Sequence, residues 1–399
     1  MKLFTDSVGP REFIAIMAFL MSIVAISIDA MVPALGVIGI ELGTTLPNQA
    51  QYLISFIFFG MAVGQMMAGP LSDAYGRKPV LFSTIVLYLI GSVVCFQAES
   101  LEVILIGRFL QGLGVSGPYV AAVSVIRDKF HGRQMARIMS LVMMIFIMVP
   151  AIAPSLGQGI LFVASWRMIF VMYIVYALII MTWVALRLEE TLPKGKRVPF
   201  SVANILLGIC EVLKNRESLF YTICIGFIFG GLMGYLNSSQ QIFQSYYQVG
   251  DYFALYFGGL ALTFGAASLA NSRLVEKVGM RPLCQRALLI NIIASIVFFG
   301  ALMLLTPPLW LFLIYLAIIF FNFGMLFGNL NALAMEPMGH IAGLASAVIG
   351  AMSSVISLAV GTIIGQLYND TLIPIVGGLL VLGVLSNVAF VMARAKPAA

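Results

Sequence analysis

Two ionisable side chains stand in stretches that are otherwise apolar. Asp29 lies in the run from Phe13 to Leu35, and Arg108 lies seven residues into the run that opens at Leu101. A carboxylate inside a membrane-spanning helix costs at least a few kcal/mol, so it faces a cavity or a partner. Desolvation favours the neutral form of a carboxyl, which suits a group that holds a proton and a cation in turn. Arginine stays charged at any accessible pH, so a buried Arg108 needs acceptors or a nearby carboxylate. At about 1.5 Å per residue, Asp29 sits about 24 Å along its helix from Phe13, and Arg108 about 10 Å from Leu101. If the two helices run in opposite directions, these depths are comparable. The expectation is that Arg108 tunes protonation of Asp29, directly or through Gln111. The plainer alternatives are a solvated acid near a helix end and an arginine satisfied by backbone carbonyls.

A second set of charges forms a loop, Gly69-Pro-Leu-Ser-Asp73-Ala-Tyr-Gly76-Arg77-Lys78-Pro79. Asp73 can meet Arg77 or the positive N-terminus of another helix, and Gly76 permits a tight turn. Arg127 and Asp128, at the end of the stretch that carries Arg108, can join them. Such a contact reads as a gate; the alternative is a loop that only sets topology.

Candidate substrate contacts are polar residues in apolar runs, because polar groups facing lipid are costly. They are Tyr235, Asn237, Ser238, Gln240, Gln241 and Gln244, then Asn322, Asn329 and Asn331, with Gln111 and Tyr119. Phe58 and Met61 are added as apolar lining, since adaptable Met surfaces suit varied ligands. Each polar residue has the alternative role of a hydrogen bond between helices.

Catalysis has no support. His131 and His340 stand alone, and Cys95, Cys210, Cys224 and Cys284 lie far apart, without metal-ligand or disulfide spacing. No phosphate-binding G-x-x-x-x-G-K-[ST] motif occurs, so any work done must draw on an ion gradient. The chain is expected to be no enzyme and to carry neither cofactor nor metal.

The elements that position these residues follow from composition. Of 399 residues, 61% are hydrophobic and 10% are charged, against about 25% charged in soluble domains. A spanning helix needs about 20 apolar residues, and a backbone in lipid must pair all its polar groups internally. The apolar runs are continuous and do not alternate, which excludes a β-barrel. The first run is too long for a signal-peptide core and no small-residue cleavage site follows, so it reads as a retained span. Twelve helices are predicted near 12–33, 50–72, 79–97, 101–127, 136–162, 166–187, 219–247, 251–273, 284–305, 309–334, 341–366 and 371–393.

Of the 22 Lys and Arg, only Arg108 and Arg167 fall away from one side, if the N-terminus is placed inside. Basic loops face the cytoplasm, so both termini are expected there. The positive charge is then a topology signal, and nucleic acid is rejected as a partner. Residues 188–218 read as a polar linker between two six-helix bundles, 1–187 and 219–399. The halves repeat each other: Leu71, Asp73, Gly76, Lys78 and Pro79 align with Leu274, Glu276, Gly279, Arg281 and Pro282. An even number of spans per half makes this a parallel repeat.

These features resemble the major facilitator superfamily. Gly69-x-Leu71-x-Asp73-x-x-Gly76-Arg77-Lys78 matches its signature loop. Arg108-Phe-Leu-Gln111-Gly112-Leu-Gly114 is similar to the second motif of drug:proton antiporters. Pro150-Ala-Ile-Ala-Pro154-Ser-Leu-Gly157-Gln-Gly159 is similar to the antiporter motif on the fifth helix, with Ala153-Pro154 in place of Gly-Pro. Asp29-Ala-Met-Val-Pro33-Ala-Leu35 resembles the signature of the bicyclomycin/chloramphenicol-resistance (Bcr/CflA) efflux family, without the Tyr that often follows the Asp. The resemblance covers the whole chain. It implies an all-α membrane protein of the major facilitator fold, set in a bacterial inner membrane and acting as a monomer. It implies a proton-coupled multidrug efflux antiporter, with Asp29 and Arg108 in proton coupling. A transporter of a defined metabolite, such as a sugar or amino acid, is the alternative.

Overall fold

A computed structural model describes residues 9–130 and 132–394. Lys2, His131 and Lys396 fall outside the described residues, as do the side chains of Arg133, Arg137, His340 and Arg394. Among the described residues every regular element is helical. In order these are α1 (Pro10–Asp29), α2 (Leu35–Glu41), α3 (Tyr52–Tyr75), α4 (Arg77–Phe96), α5 (Leu101–Lys129), α6 (Gly132–Val163) and α7 (Arg167–Arg187). There follow α8 (Val202–Lys214), α9 (Arg216–Gln240), α10 (Phe253–Val278), α11 (Met280–Leu304), α12 (Leu309–Met335), α13 (Ala342–Gln366) and α14 (Ile373–Arg394). Among the described residues twelve stretches are long and apolar enough to cross a membrane, α1 and α2 counting as one. Each predicted span coincides with one of them. The chain is therefore an all-α, multi-pass membrane protein.

Pro33 explains why the first stretch is broken. Its ring has no N–H to donate and clashes with the carbonyl four residues earlier, which belongs to Asp29. The helix stops at Asp29 and resumes as α2 after a short 3₁₀ turn at Val32–Ala34. Helix α9 runs on into a π-helix over Gln241–Tyr246.

The repeat is visible in the backbone. Gly76 has φ +109° and ψ 160°, and Gly279 has φ +83° and ψ 158°. Both sit in a conformation that L side chains rarely adopt, and each starts a new helix directly.

The chain forms two compact units. Unit 1 takes residues 1–44 and 56–202, and unit 2 takes 45–55 and 203–399. In unit 1, α1 packs against α5, α6 and α7, and α4 against α5 and α7. In unit 2, α9 packs against α12, α13 and α14, and α12 against α10 and α11. The stretch 188–218, predicted as a linker, contains a helix of its own, α8. Its apolar residues at 202, 205, 206, 209, 212 and 213 follow helical spacing.

Candidate functional site

The helix break at Pro33 leaves a backbone acceptor open. In a continuous helix the N–H of Met31 would bond the carbonyl of Ser27. Here it donates to Ile28 at 3.3 Å instead. The freed Ser27 carbonyl accepts from Arg108 Nη2 at 2.9 Å and from the Tyr173 hydroxyl at 3.2 Å. The Ser27 hydroxyl meets the Tyr88 hydroxyl at 2.7 Å and donates to the Ile23 carbonyl. Ser27 is thus a buried junction between α1, α4, α5 and α7.

Arg108 is fully buried. A buried charge needs paired, hydrogen-bonded surroundings. Besides Ser27 it reaches Gln111 Oε1 from Nη1 at 2.9 Å. The Gln111 amide is oriented by its other end, where Nε2 donates to Ser92 Oγ at 2.8 Å. The amide oxygen is therefore the end available to the guanidinium. Gly114 lets α4 come close to α5: a Cβ there would lie 2.6 Å from the Tyr88 Cβ. That approach brings Tyr88 to Ser27.

Asp29, the last residue of α1, is 5% exposed. No described residue donates a hydrogen bond to its carboxylate. Arg108 meets α1 at a carbonyl two residues before Asp29. A buried carboxylate without donors, near a fixed cation, can bind and release a proton or take a cationic group.

Helix α6 closes on the same place. A Cβ on Gly157 would overlap the Ala30 carbonyl, so only glycine permits this contact. Gly159 has open space instead. Phe58 and Met61 are buried on α3. Tyr119 lies about two turns beyond Gln111 on α5 and is half-buried.

The signature loop of unit 1 is a second cluster. Arg77 is 3% exposed. It bonds Asp73 Oδ1 at 2.6 Å, Ser72 Oγ at 3.2 Å and Asp128 Oδ2 at 3.0 Å. Asp128 reaches Arg77, whereas Arg127, predicted to join, does not. Lys78 Nζ donates to the Leu188 carbonyl at 2.6 Å. Gly69 is half-buried beside Pro70 on α3.

Sequence reasoning missed what covers this loop. Glu190 accepts from the backbone N–H groups of Arg77 and Lys78, both at 3.0 Å. It acts as a carboxylate on the positive start of α4. Thr191 donates to Asp128 at 3.0 Å, and Val198 N–H donates to the Asp73 carbonyl at 3.1 Å. The linker is a strap tied across the loop. Glu190 had a signal, an acid next to basic residues, but nothing local assigned it to α4.

In unit 2, Arg281 pairs with Glu217 at 3.1 Å and with Glu336 at 3.7 Å. Several of the polar residues predicted there bond across helices, while Gln240 donates to Gln244 at 2.8 Å and Asn331 to the Phe327 carbonyl at 3.3 Å, each along its own helical stretch. Asn322 donates to Asn291 at 2.9 Å, Asn329 to Asn271 at 2.7 Å, and Asn237 to the Gly361 carbonyl at 3.3 Å. Gln241 donates to Asn48 at 2.9 Å and accepts from Gln51. Tyr235 packs in a cluster with Phe243, Phe257 and Phe320.

The family model described as Major Facilitator Superfamily matches residues 13–362. The chain is 30% identical over 381 residues to an uncharacterized MFS-type transporter, YdgK, of Bacillus subtilis (strain 168), covering 94% of each chain. It is 27% identical over 382 residues to a bicyclomycin resistance protein homolog of Haemophilus influenzae, also covering 94% of each. It is 28% identical over 308 residues to the multidrug resistance protein MdtL of Shigella dysenteriae serotype 1, covering 76% of each.

Proposed function

Because this chain belongs to the major facilitator superfamily, we propose that it is a proton-coupled antiporter exporting amphipathic, drug-like molecules. The observation that carries the reading is Asp29: a buried carboxylate with no described hydrogen-bond donor, at a helix break whose freed carbonyl holds Arg108. The drug-resistance relatives point the same way. In this reading the protein sits in a bacterial inner membrane with both termini cytoplasmic. It works as a monomer of two six-helix bundles, 1–187 and 219–399, joined by 188–218.

The cycle follows from charge. Ionised Asp29 attracts a cationic or strongly dipolar drug from the inside. A proton arriving from the outside neutralises it, removes that attraction and releases the drug. Arg108 stays charged and favours return of the proton toward the inside. The Arg77–Asp73–Asp128 cluster, strapped by Glu190, stabilises one state of the cycle and loses its contacts in the other. Alternating access by rocking is the general mode of such repeats.

The test uses everted membrane vesicles holding a respiration-generated pH gradient. Drug addition should collapse the gradient with the native protein and not with Asp29→Asn, which fixes the neutral form. Silence across a broad panel of drugs would overturn the reading. Collapse by a sugar or amino acid alone would replace it with metabolite transport.

A further inference from the structure

We propose that α8 is a membrane-surface helix whose outer stripe is seated in the bilayer interface and whose basic end engages anionic lipid headgroups. At 13 residues, α8 is about 20 Å long, too short to cross a hydrocarbon core of about 30 Å. Its position is set at two points. Its last residue, Lys214, is separated by Asn215 alone from Arg216, where the spanning helix α9 begins. Six residues earlier, Gly208 abuts Leu344, near the start of the spanning helix α13; a Cβ on Gly208 would lie 2.5 Å from the Leu344 side chain. Four spans separate these two starts, so both lie on the same face of the bilayer. A helix held at both starts runs along that face and does not project away from it.

The two sides of α8 differ. Gly208 and Val212 are buried toward unit 2. Ala203, Leu206, Leu207, Cys210 and Leu213 are exposed, with Leu207 at 65%. Their spacing makes one continuous outward stripe. Leucines so exposed on a short helix require a cover. The bilayer that surrounds α9 and α13 is continuous with this surface. Lys214 and Arg216 stand at its end, where their long stems can reach headgroup level. An apolar stripe with flanking basic residues is the pattern of a helix lying in the interface, strengthened by anionic lipid.

Cys210 supplies the test without substitution, since it is exposed while Cys95, Cys224 and Cys284 are buried. The full chain would be labelled there with bimane and reconstituted in phosphatidylcholine vesicles with increasing phosphatidylglycerol. Nitroxide-bearing phosphatidylcholine, labelled shallow on the acyl chain, and aqueous iodide serve as competing quenchers. The expected result is several-fold stronger quenching by the lipid nitroxide than by iodide. The lipid quenching should rise with phosphatidylglycerol, and Lys214→Gln should weaken that rise. A bimane at Gly195→Cys, on the exposed strap, in a chain that also carries Cys210→Ser, gives the aqueous reference. Iodide quenching equal to that reference, with the lipid nitroxide silent, would overturn the proposal. Cross-linking of Cys210 between two copies, with neither quencher effective, would also overturn it and assign the stripe to a second copy of the chain.

Discussion

Arg108 donates to the main-chain carbonyl of Ser27, two residues ahead of Asp29. That carbonyl is open because α1 ends at Asp29, ahead of Pro33, and the Met31 N–H turns to Ile28 instead. A kink, a buried cation and an intramembrane acid are therefore one arrangement.

Replacing Arg108 separates charge from geometry. Arg108→Lys keeps the charge but lacks the planar fork that serves Ser27 and Gln111 together. It should retain partial drug-driven proton release with an altered pH profile. Arg108→Ala removes charge-assisted hydrogen bonds worth about 1.5–3 kcal/mol each and leaves the Gln111 oxygen only the weak Cys95 thiol donor at 3.9 Å. It should lower thermal stability in detergent and abolish the pH dependence of proton release. An unchanged pH profile in Arg108→Ala would remove Arg108 from proton coupling.

Pro33→Ala should restore the missing N–H donor and allow α1 to run into α2. The N–H of Met31 then competes with Arg108 for the Ser27 carbonyl. The expected outcome is a protein that folds as well as the native one but transports poorly. Thermal unfolding beside vesicle transport checks this; equal transport would show that the break is dispensable.

Gly157 and Gly159 give a paired control on α6. A side chain at Gly157 collides with the Ala30 carbonyl beside Asp29, whereas Gly159 faces open space. Gly157→Val should lose most transport, and Gly159→Ala should be close to native. Loss in both, or in neither, would show that contact with Ala30 is not what matters.

In the signature loop, Arg77 and Asp128 should show strong mutual dependence. Arg77 is nearly buried and meets Asp128 at 3.0 Å. Contacting residues in one network show coupling of about 0.5–3 kcal/mol in a double-mutant cycle. Arg77→Gln, Asp128→Asn and the double variant, compared by thermal unfolding, measure it. Glu190→Gln should be milder: its one amide oxygen still accepts from one of the two N–H groups at the start of α4, while the other bond and the charge–dipole attraction of about 0.3–1 kcal/mol are lost. Purely additive effects of Arg77 and Asp128 would reduce the cluster to separate surface contacts.

Much was decided by the sequence alone. The twelve spans were legible because lipid demands long apolar runs, and that demand acts on each segment by itself. The repeated loop was legible because Gly76 and Gly279 each provide the same backbone turn at the same place in their halves. Asp29 and Arg108 stood out because a charge in an apolar run is anomalous wherever it occurs. The partners were decided only in three dimensions. Ser27 lies 81 positions from Arg108 and 146 from Tyr173, and Glu190 lies 113 from Arg77. An acceptor at such distance leaves no periodic or compositional trace. The polar side chains of unit 2 show the same limit. From the sequence, Asn322 and Asn329 were open to two roles, bonds between helices or cargo contacts, and only packing gave them Asn291 and Asn271 as partners. Helix α8 was hidden for another reason. Its apolar residues sit among the prolines and charges of a linker, and it takes neighbours such as Leu344 to hold so short a helix in place.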